Sequence, residues 1–254
     1  EVVMISIEHG DSILIRSSEG DVALIDGGYP DAGTLDYLWE HDITHINTMI
    51  ATHGHEDHIG GLPEVMRAIP VDHLIVNGQE LHSTYFQEFE SSYQELGIKP
   101  KIVRKGDRIP FGELTFRVIS PAKLRTDSVN LNSIVLLFDI GEVTFMFTGD
   151  TEKPEENRLV HSYIPLHADI LKVAHHAGNT SSDPVFLEKV NPDIAIYSAS
   201  NYFPGFPNQD TIDTILLSGA TVYGTNFNGD ITIQTDGKTY SVQTDYGKPL
   251  LPYK

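Results

Sequence analysis

The sequence predicts a layered α/β fold. Short apolar, β-branched runs alternate along the chain with segments of helical pattern. Several of these runs stop at a Gly or Asp turn, as in Ile25-Asp26-Gly27-Gly28 and Thr148-Gly149-Asp150. Hydrophobic residues make up 40% of the 254, enough for a sizeable core. No shift in character marks a boundary, so residues 1–254 read as a single domain.

In chain order, residues 2–7 and 12–16 are β-like runs around His9-Gly10-Asp11, and 22–28 is a strand closed by a Gly turn. Residues 31–41 read as a helix with Leu35, Leu38 and Trp39 on one face, which predicts a core position for Trp39, with a place in the cleft wall as the alternative. The apolar run 46–51 reads as a buried strand. It leads into His53-Gly54-His55-Glu56-Asp57-His58, then Gly60-Gly61 and a helix over 62–69 with Pro63 in its first turn.

Three histidines and an aspartate thus fall on a loop at a strand end, where one chain can aim several side chains into one cavity. Imidazole nitrogen and carboxylate oxygen together suit Zn²⁺, Mn²⁺ or Fe²⁺. His53 and His55 are two apart and share a face of an extended backbone, whereas Asp57 and His58 lie past the turn and can face a second ion. A plain surface histidine cluster is the competing reading. The strand, the tight loop and the Gly-Gly entry to a helix argue jointly against it.

These six residues resemble the His-x-His-x-Asp-His signature of the metallo-β-lactamase superfamily, and the resemblance covers nearly the whole chain. It is similar above all to the branch holding the hydrolase domain of bacterial DNA-uptake channels (ComEC-type) and the phosphorylcholine esterase of pneumococcal cell surfaces. The resemblance implies a four-layer αββα sandwich of two similar halves with metals at one edge. It implies that Asp26, in Leu24-Ile25-Asp26-Gly27-Gly28, supports the metal loop by hydrogen bonding; a turn cap is the plainer reading of the same residue.

Beyond the loop, 71–76 is a strand whose His73 reads as structural, and 84–96 is a polar helix closed by Gly97, with His82 unassigned before it. Residues 101–104 and 112–119 add strands, and 121–130 is a polar connection. Residues 130–138 and 143–150 form a hairpin across Gly141 that delivers Asp150 at a strand's carboxyl end. The resemblance makes Asp150 the carboxylate bridging two metals. Residues 169–178 repeat the logic with His175-His176. They are similar to the His-His-Gly-Ser segment of the DNA-uptake branch, which places His176 as a ligand and His175 towards substrate. Adjacent histidines are alike in sequence, so the reverse assignment stays open. Where many superfamily members carry a third histidine for the first metal, this chain has Asn130-Leu131-Asn132-Ser133. Asn132 is expected to be a weak ligand or a donor to substrate. The remaining elements are a helix over 184–190, a strand over 194–197, an aromatic loop over 198–208, a helix over 209–217, a strand over 220–224 and a hairpin of 229–235 with 238–244.

The implied ligands are therefore His53, His55, Asp57, His58, Asp150 and His176, holding two divalent transition-metal ions, zinc or manganese. Two such ions about 3.5–4 Å apart activate a shared water and clamp an oxyanion. Asp57 would position that water, while His175 and Asn132 would face charge on the substrate. The resemblance implies phosphodiester cleavage. The aromatic loop, with Tyr202 and Phe206, suggests a small or choline-like head group, because aromatic faces attract quaternary ammonium; packing of these rings onto the sandwich is the alternative. A metal-dependent nuclease and a non-catalytic metal-binding module are the competing functions, with lactonase or sulfatase activity behind them.

Composition bears on this choice. Seventeen Lys plus Arg against 36 Asp plus Glu give −19, which disfavours general affinity for nucleic acid or anionic membrane. There are no cysteines, which excludes disulfides and thiolate-bound metal. That fits a secreted or cell-surface bacterial protein slightly better than a cytoplasmic one. No apolar run approaches membrane-spanning length. The chain starts at Glu1 rather than Met, so upstream sequence is expected to have been removed.

Overall fold

A computed structural model describes residues 1–7 and 10–253. His9, in the turn expected after the first strand, and Lys254, at the end of the tail, lie outside them. Two sheets lie face to face. The first has eight strands in the order β15-β14-β1-β2-β3-β4-β5-β6. They are β1 (Val2–Met4), β2 (Ile13–Arg16), β3 (Val22–Ile25), β4 (Ile46–Ala51), β5 (Val71–Val76), β6 (Lys101–Ile102) and the closing hairpin β14 (Ile231–Thr235) and β15 (Tyr240–Thr244). The second runs β13-β12-β11-β10-β9-β8-β7. It comprises β7 (Arg108–Phe111), β8 (Leu114–Ser120), β9 (Val135–Ile140), β10 (Val143–Phe147), β11 (Ile170–Lys172), β12 (Ile194–Tyr197) and β13 (Thr221–Gly224).

Strand periodicity explains the layers. Alternate residues of one strand face opposite ways, so each sheet is apolar on both faces. Val2, Met4, Ile13, Ile15, Ile25, Ile50 and Ile75 meet Phe116, Phe138, Phe145, Phe147 and Ile196 between the sheets. The outer face of the first sheet is covered by α1 (Thr34–Glu40), α3 (Leu62–Ala68) and α4 (Thr84–Glu95) through Leu38, Leu62, Val65, Met66 and Phe89. The second is covered by α5 (Lys153–Val160), α6 (Pro184–Val190) and α7 (Gln209–Leu217) through Leu159, Phe186, Leu187, Ile212 and Ile215. With the single turns α2 (Glu56–Ile59) and α8 (Thr225–Asn228), this is the expected αββα sandwich.

Each sheet pairs an antiparallel part with a parallel part: β3-β4-β5-β6 in the first and β10-β11-β12-β13 in the second. The carboxyl ends of both parallel parts open on the same edge, where the metal loop lies.

Several expectations are corrected. Trp39 is 55% exposed, not core. Neighbouring helix residues point about 100° apart, and it is Leu38 that is buried. Residues 130–132 form a 3-10 turn ahead of β9 rather than the start of that strand. Strand β7 and helices α5 and α8 were not legible. Helix α5, Lys-Pro-Glu-Glu-Asn-Arg-Leu-Val, buries Leu159 but also Glu155 and Glu156, so it has no apolar stripe to read.

Candidate metal centre

Every group at the site follows a parallel strand. Asp26 follows β3, His53 and His55 follow β4, Asp150 follows β10, His175 and His176 follow β11, and Ser198 follows β12. The single turn α2 then presents Asp57 and His58 from its first residues. Ligands at strand carboxyl ends are what open α/β sheets are built to gather.

Three groups of donor atoms result, each with all atoms within 4.8 Å of one another: Asp57, His58, Asp150 and His176; His53, His55 and Asp150; and, behind His58, Asp11, Asp26 and His58. In the third group Asp26 accepts from His58 Nδ1, so the first two are the ones that face the open cluster. Asp150 belongs to both. Its Oδ1 lies 3.2 Å from His58 Nε2, and its Oδ2 lies 3.5 Å from His176 Nε2 and 3.9 Å from His53 Nε2. His176 Nε2 is 3.2 Å from Asp57 Oδ2, and His53 Nε2 is 3.1 Å from His55 Nδ1. The backbone N–H of Asp150 donates to Ser133 Oγ at 3.1 Å, which ties the bridging position to the segment ahead of β9.

Outer partners set the ring orientations. His58 Nδ1 donates to Asp26 Oδ2 at 2.8 Å, and Asp26 also accepts from the Thr52 amide and hydroxyl at 2.8 and 2.6 Å. His176 Nδ1 donates to the Ser198 carbonyl at 2.9 Å. With each Nδ1 committed outward, each Nε2 is left unprotonated in the neutral ring and aimed at the cluster, as a metal ligand must be.

His58 Nε2 and Asp150 Oδ1 are buried 3.2 Å from each other, and neither makes a well-aligned hydrogen bond among the described residues. Buried polar atoms rarely go unsatisfied, and a divalent ion is the partner this donor chemistry fits. Electrostatics agree. Burial disfavours the His58 cation, yet the carboxylates of Asp150, Asp57 and Asp26 outweigh it and hold this histidine well above its ordinary range. His176 is likewise pushed up to about 10, burial being overcome by Asp150, Asp57 and Asp11. Asp150, against the opposing effect of burial, is held well below the usual carboxylate range by His176 and His58. His53 moves down through burial and the neighbouring His58. The metal-free cluster thus holds protons where cations fit.

Residues 175–177 all adopt positive φ, at 50°, 52° and 58°. That is uncommon for residues with side chains and gathers at functional sites. It turns the adjacent histidines apart. His175 stands at the rim, its Nδ1 2.7 Å from Thr180 Oγ1 and its Nε2 4.0 Å from Asp150 Oδ2. Phe206 lies beside both rings, tilted against His175 at a centroid distance of 5.2 Å and edge-on to His176 at 6.0 Å.

The sequence reading of Asn132 is corrected. Its amide accepts from the Arg125 N–H and donates to the Arg125 and Ser128 carbonyls at 2.7, 2.9 and 3.0 Å. The side chain folds the 125–132 loop and has no donor left for substrate. Asn130 stands nearer the cluster instead, its Nδ2 3.4 Å from His175 Nε2. Of the loop aromatics, Tyr202 is 89% exposed, Phe203 stacks on Tyr29, and Phe206 is in contact with the two histidines. Sequence reasoning also missed Asp11 and Lys172, a buried ion pair beneath the cluster. The available signal was a lysine inside the apolar run Ile170-Leu171-Lys172-Val173-Ala174, since a charge there requires a buried partner.

Residues 7–200 match the family described as the metallo-beta-lactamase superfamily. This chain belongs to that superfamily. Among curated proteins it is 28% identical to ComE operon protein 3 of Bacillus subtilis over 273 aligned positions, covering 97% of this chain and 34% of that protein. It is 26% identical to Recombination protein 2 of Haemophilus influenzae over 208, covering 82% and 24%. These relatives match the DNA-uptake branch to which the motifs point. The chain spans about a third of the length of the first and a quarter of the second. Among solved structures, Igni18, a metallo hydrolase from Ignicoccus hospitalis, superposes with a TM-score of 0.60 at 14% identity over 95% of this chain and 97% of that one. As a superfamily member with this cluster, the chain is a metal-dependent hydrolase.

Proposed function

We propose that the chain hydrolyses phosphodiesters at two divalent metal ions, one held by Asp57, His58, Asp150 and His176 and the other by His53, His55 and Asp150. The observation that carries this reading is the single carboxylate, Asp150, placed between two convergent donor groups. Bound ions would supply an activated water and charge stabilisation for the phosphoryl oxygens. The chain's own groups do the rest. Asp57 accepts the proton of the attacking water, being the ligand carboxylate with more exposure (14% of its side chain against 3% for Asp150). His175 donates a hydrogen bond to a substrate oxygen across the rim. Phe206 shields both histidines and narrows the entrance.

The substrate we favour is a small phosphodiester with a choline-like head group. A net charge of −19 repels long polyanions but not a zwitterion, and Phe206 offers a cation a ring face beside the cluster. DNA is the second reading, supported by the likeness to ComE operon protein 3 and Recombination protein 2. Comparing kcat/KM for a phosphorylcholine ester and single-stranded DNA at one salt concentration separates them, since DNA binding varies steeply with salt. We expect the ester to be preferred and Phe206→Ala to reduce that preference. Efficient DNA cleavage with F206A unchanged on both substrates would move the assignment to a nuclease.

A further inference from the structure

The metal ligands come from both halves of the sandwich. Asp57 and His58 lie on the first sheet's side, Asp150 and His176 on the second's. One buried ion pair crosses that seam. Asp11, in the turn between β1 and β2, pairs with Lys172, the last residue of β11, and their side chains are 2% and 1% exposed. This pair is not itself among the ligands proposed above.

Its contacts reach the four-donor group from several directions. The Asp11 N–H donates to the Asp57 carbonyl at 3.1 Å. The approach there is so close that a Cβ on Gly10, at φ +100°, would sit 1.9 Å from that oxygen. Asp11 Oδ1 lies 3.6 Å from His176 Nδ1, and Oδ2 lies 3.8 Å from His58 Nδ1. Lys172 Nζ donates, at 3.5 Å, to the carbonyl of Gly149, the residue before Asp150. Its backbone carbonyl accepts from Thr148 Oγ1 at 2.6 Å. The pair thus touches the Asp57 backbone, stands behind His58 and His176, and holds the residue that precedes Asp150. Among the described residues, no hydrogen bond or ion pair joins it to His53 or His55.

We infer that Asp11 and Lys172 are positioning residues: an ionic strut across the seam that sets the geometry of the four-donor group and leaves the three-donor group to its own loop. The inference rests on the two-metal reading above. Electrostatics alone would give little effect on removing both partners, because a lost anion and a lost cation nearly cancel. The strut account predicts a large effect, because the orientation of all four ligands loosens.

Removing one partner leaves a buried unpaired charge and endangers the fold. The test therefore removes both, as D11N/K172M, in an H53A background that leaves the four-donor group alone. Co²⁺ titration followed by visible absorption reads that group directly, and thermal melting reports folding. The expected result is a Kd raised on the order of 10–100-fold, the range found when groups behind metal ligands are removed. An altered Co²⁺ spectrum and a melting transition that remains cooperative should accompany it. A Kd within about threefold of H53A, with the same spectrum, overturns the strut. If D11N/K172M does not fold, D11N/K172Q keeps a hydrogen bond across the seam without charge and is judged by the same two results. An H53A chain that takes up no Co²⁺ overturns the metal reading itself, and this inference with it.

Discussion

His175 and His176 are adjacent in sequence, yet the structure gives them different surroundings. Three successive positive-φ residues send His176 inward, with its Nδ1 on the Ser198 carbonyl, and His175 to the rim, with its Nδ1 near Thr180. No residue pattern encodes that split, which is why the sequence left the pair open. Accordingly, His176→Ala should lose one bound ion per chain. His175→Ala should keep its metal and lose activity by about 10²–10³-fold, the scale of a lost donor to the developing charge. Metal analysis alongside turnover checks this, and the reverse pattern would swap the two roles. Asn132 carries a corrected expectation. Its three loop bonds predict that Asn132→Ala costs about 1–3 kcal/mol of stability. Metal content should be unchanged, as denaturant unfolding and metal analysis can show.

At the scale of elements, strands were readable where apolar runs ended in Gly or Asp. The runs behind Asp26, His53 and Asp150 mark β3, β4 and β10. The helices α6 and α7 lie at the bounds expected from the sequence. What failed was structure held by polar contacts. Helix α5 buries two glutamates, one of them, Glu156, accepting from the Ser182 and Asp183 amides. The turn at 130–132 is fixed by the Asn132 amide, and Lys172 depends on Asp11, 161 residues away in the chain. Periodicity reports burial of apolar side chains only, so long-range polar partners leave no periodic trace. The six implied ligand residues were picked out because two short motifs and one strand end hold them. Their supports, apart from Asp26, were not.

For the molecule as a whole, the edge onto which both sheets' parallel strands open is where carboxylates and imidazoles are brought together. This makes stability depend on pH. His58 and His176 are raised above their unfolded value near 6.5, His176 to about 10, by the surrounding carboxylates. A raised folded value means that the stabilisation is complete below the unfolded pKa and is lost as pH climbs through the folded one. The metal-free chain should therefore lose thermal stability between about pH 6.5 and 10, and His176→Gln should show a smaller loss over the same window. A melting temperature that rises over that range in the metal-free wild type would contradict the electrostatic account. The central claim, however, is that one carboxylate joins two metal groups across the halves of the sandwich. Elemental analysis after full loading with Mn²⁺ or Zn²⁺, on wild type and Asp150→Ala, tests it most directly. The account predicts two ions per wild-type chain and a marked loss of both in D150A. Fewer than one ion per loaded wild-type chain, or two ions retained in D150A, would contradict it.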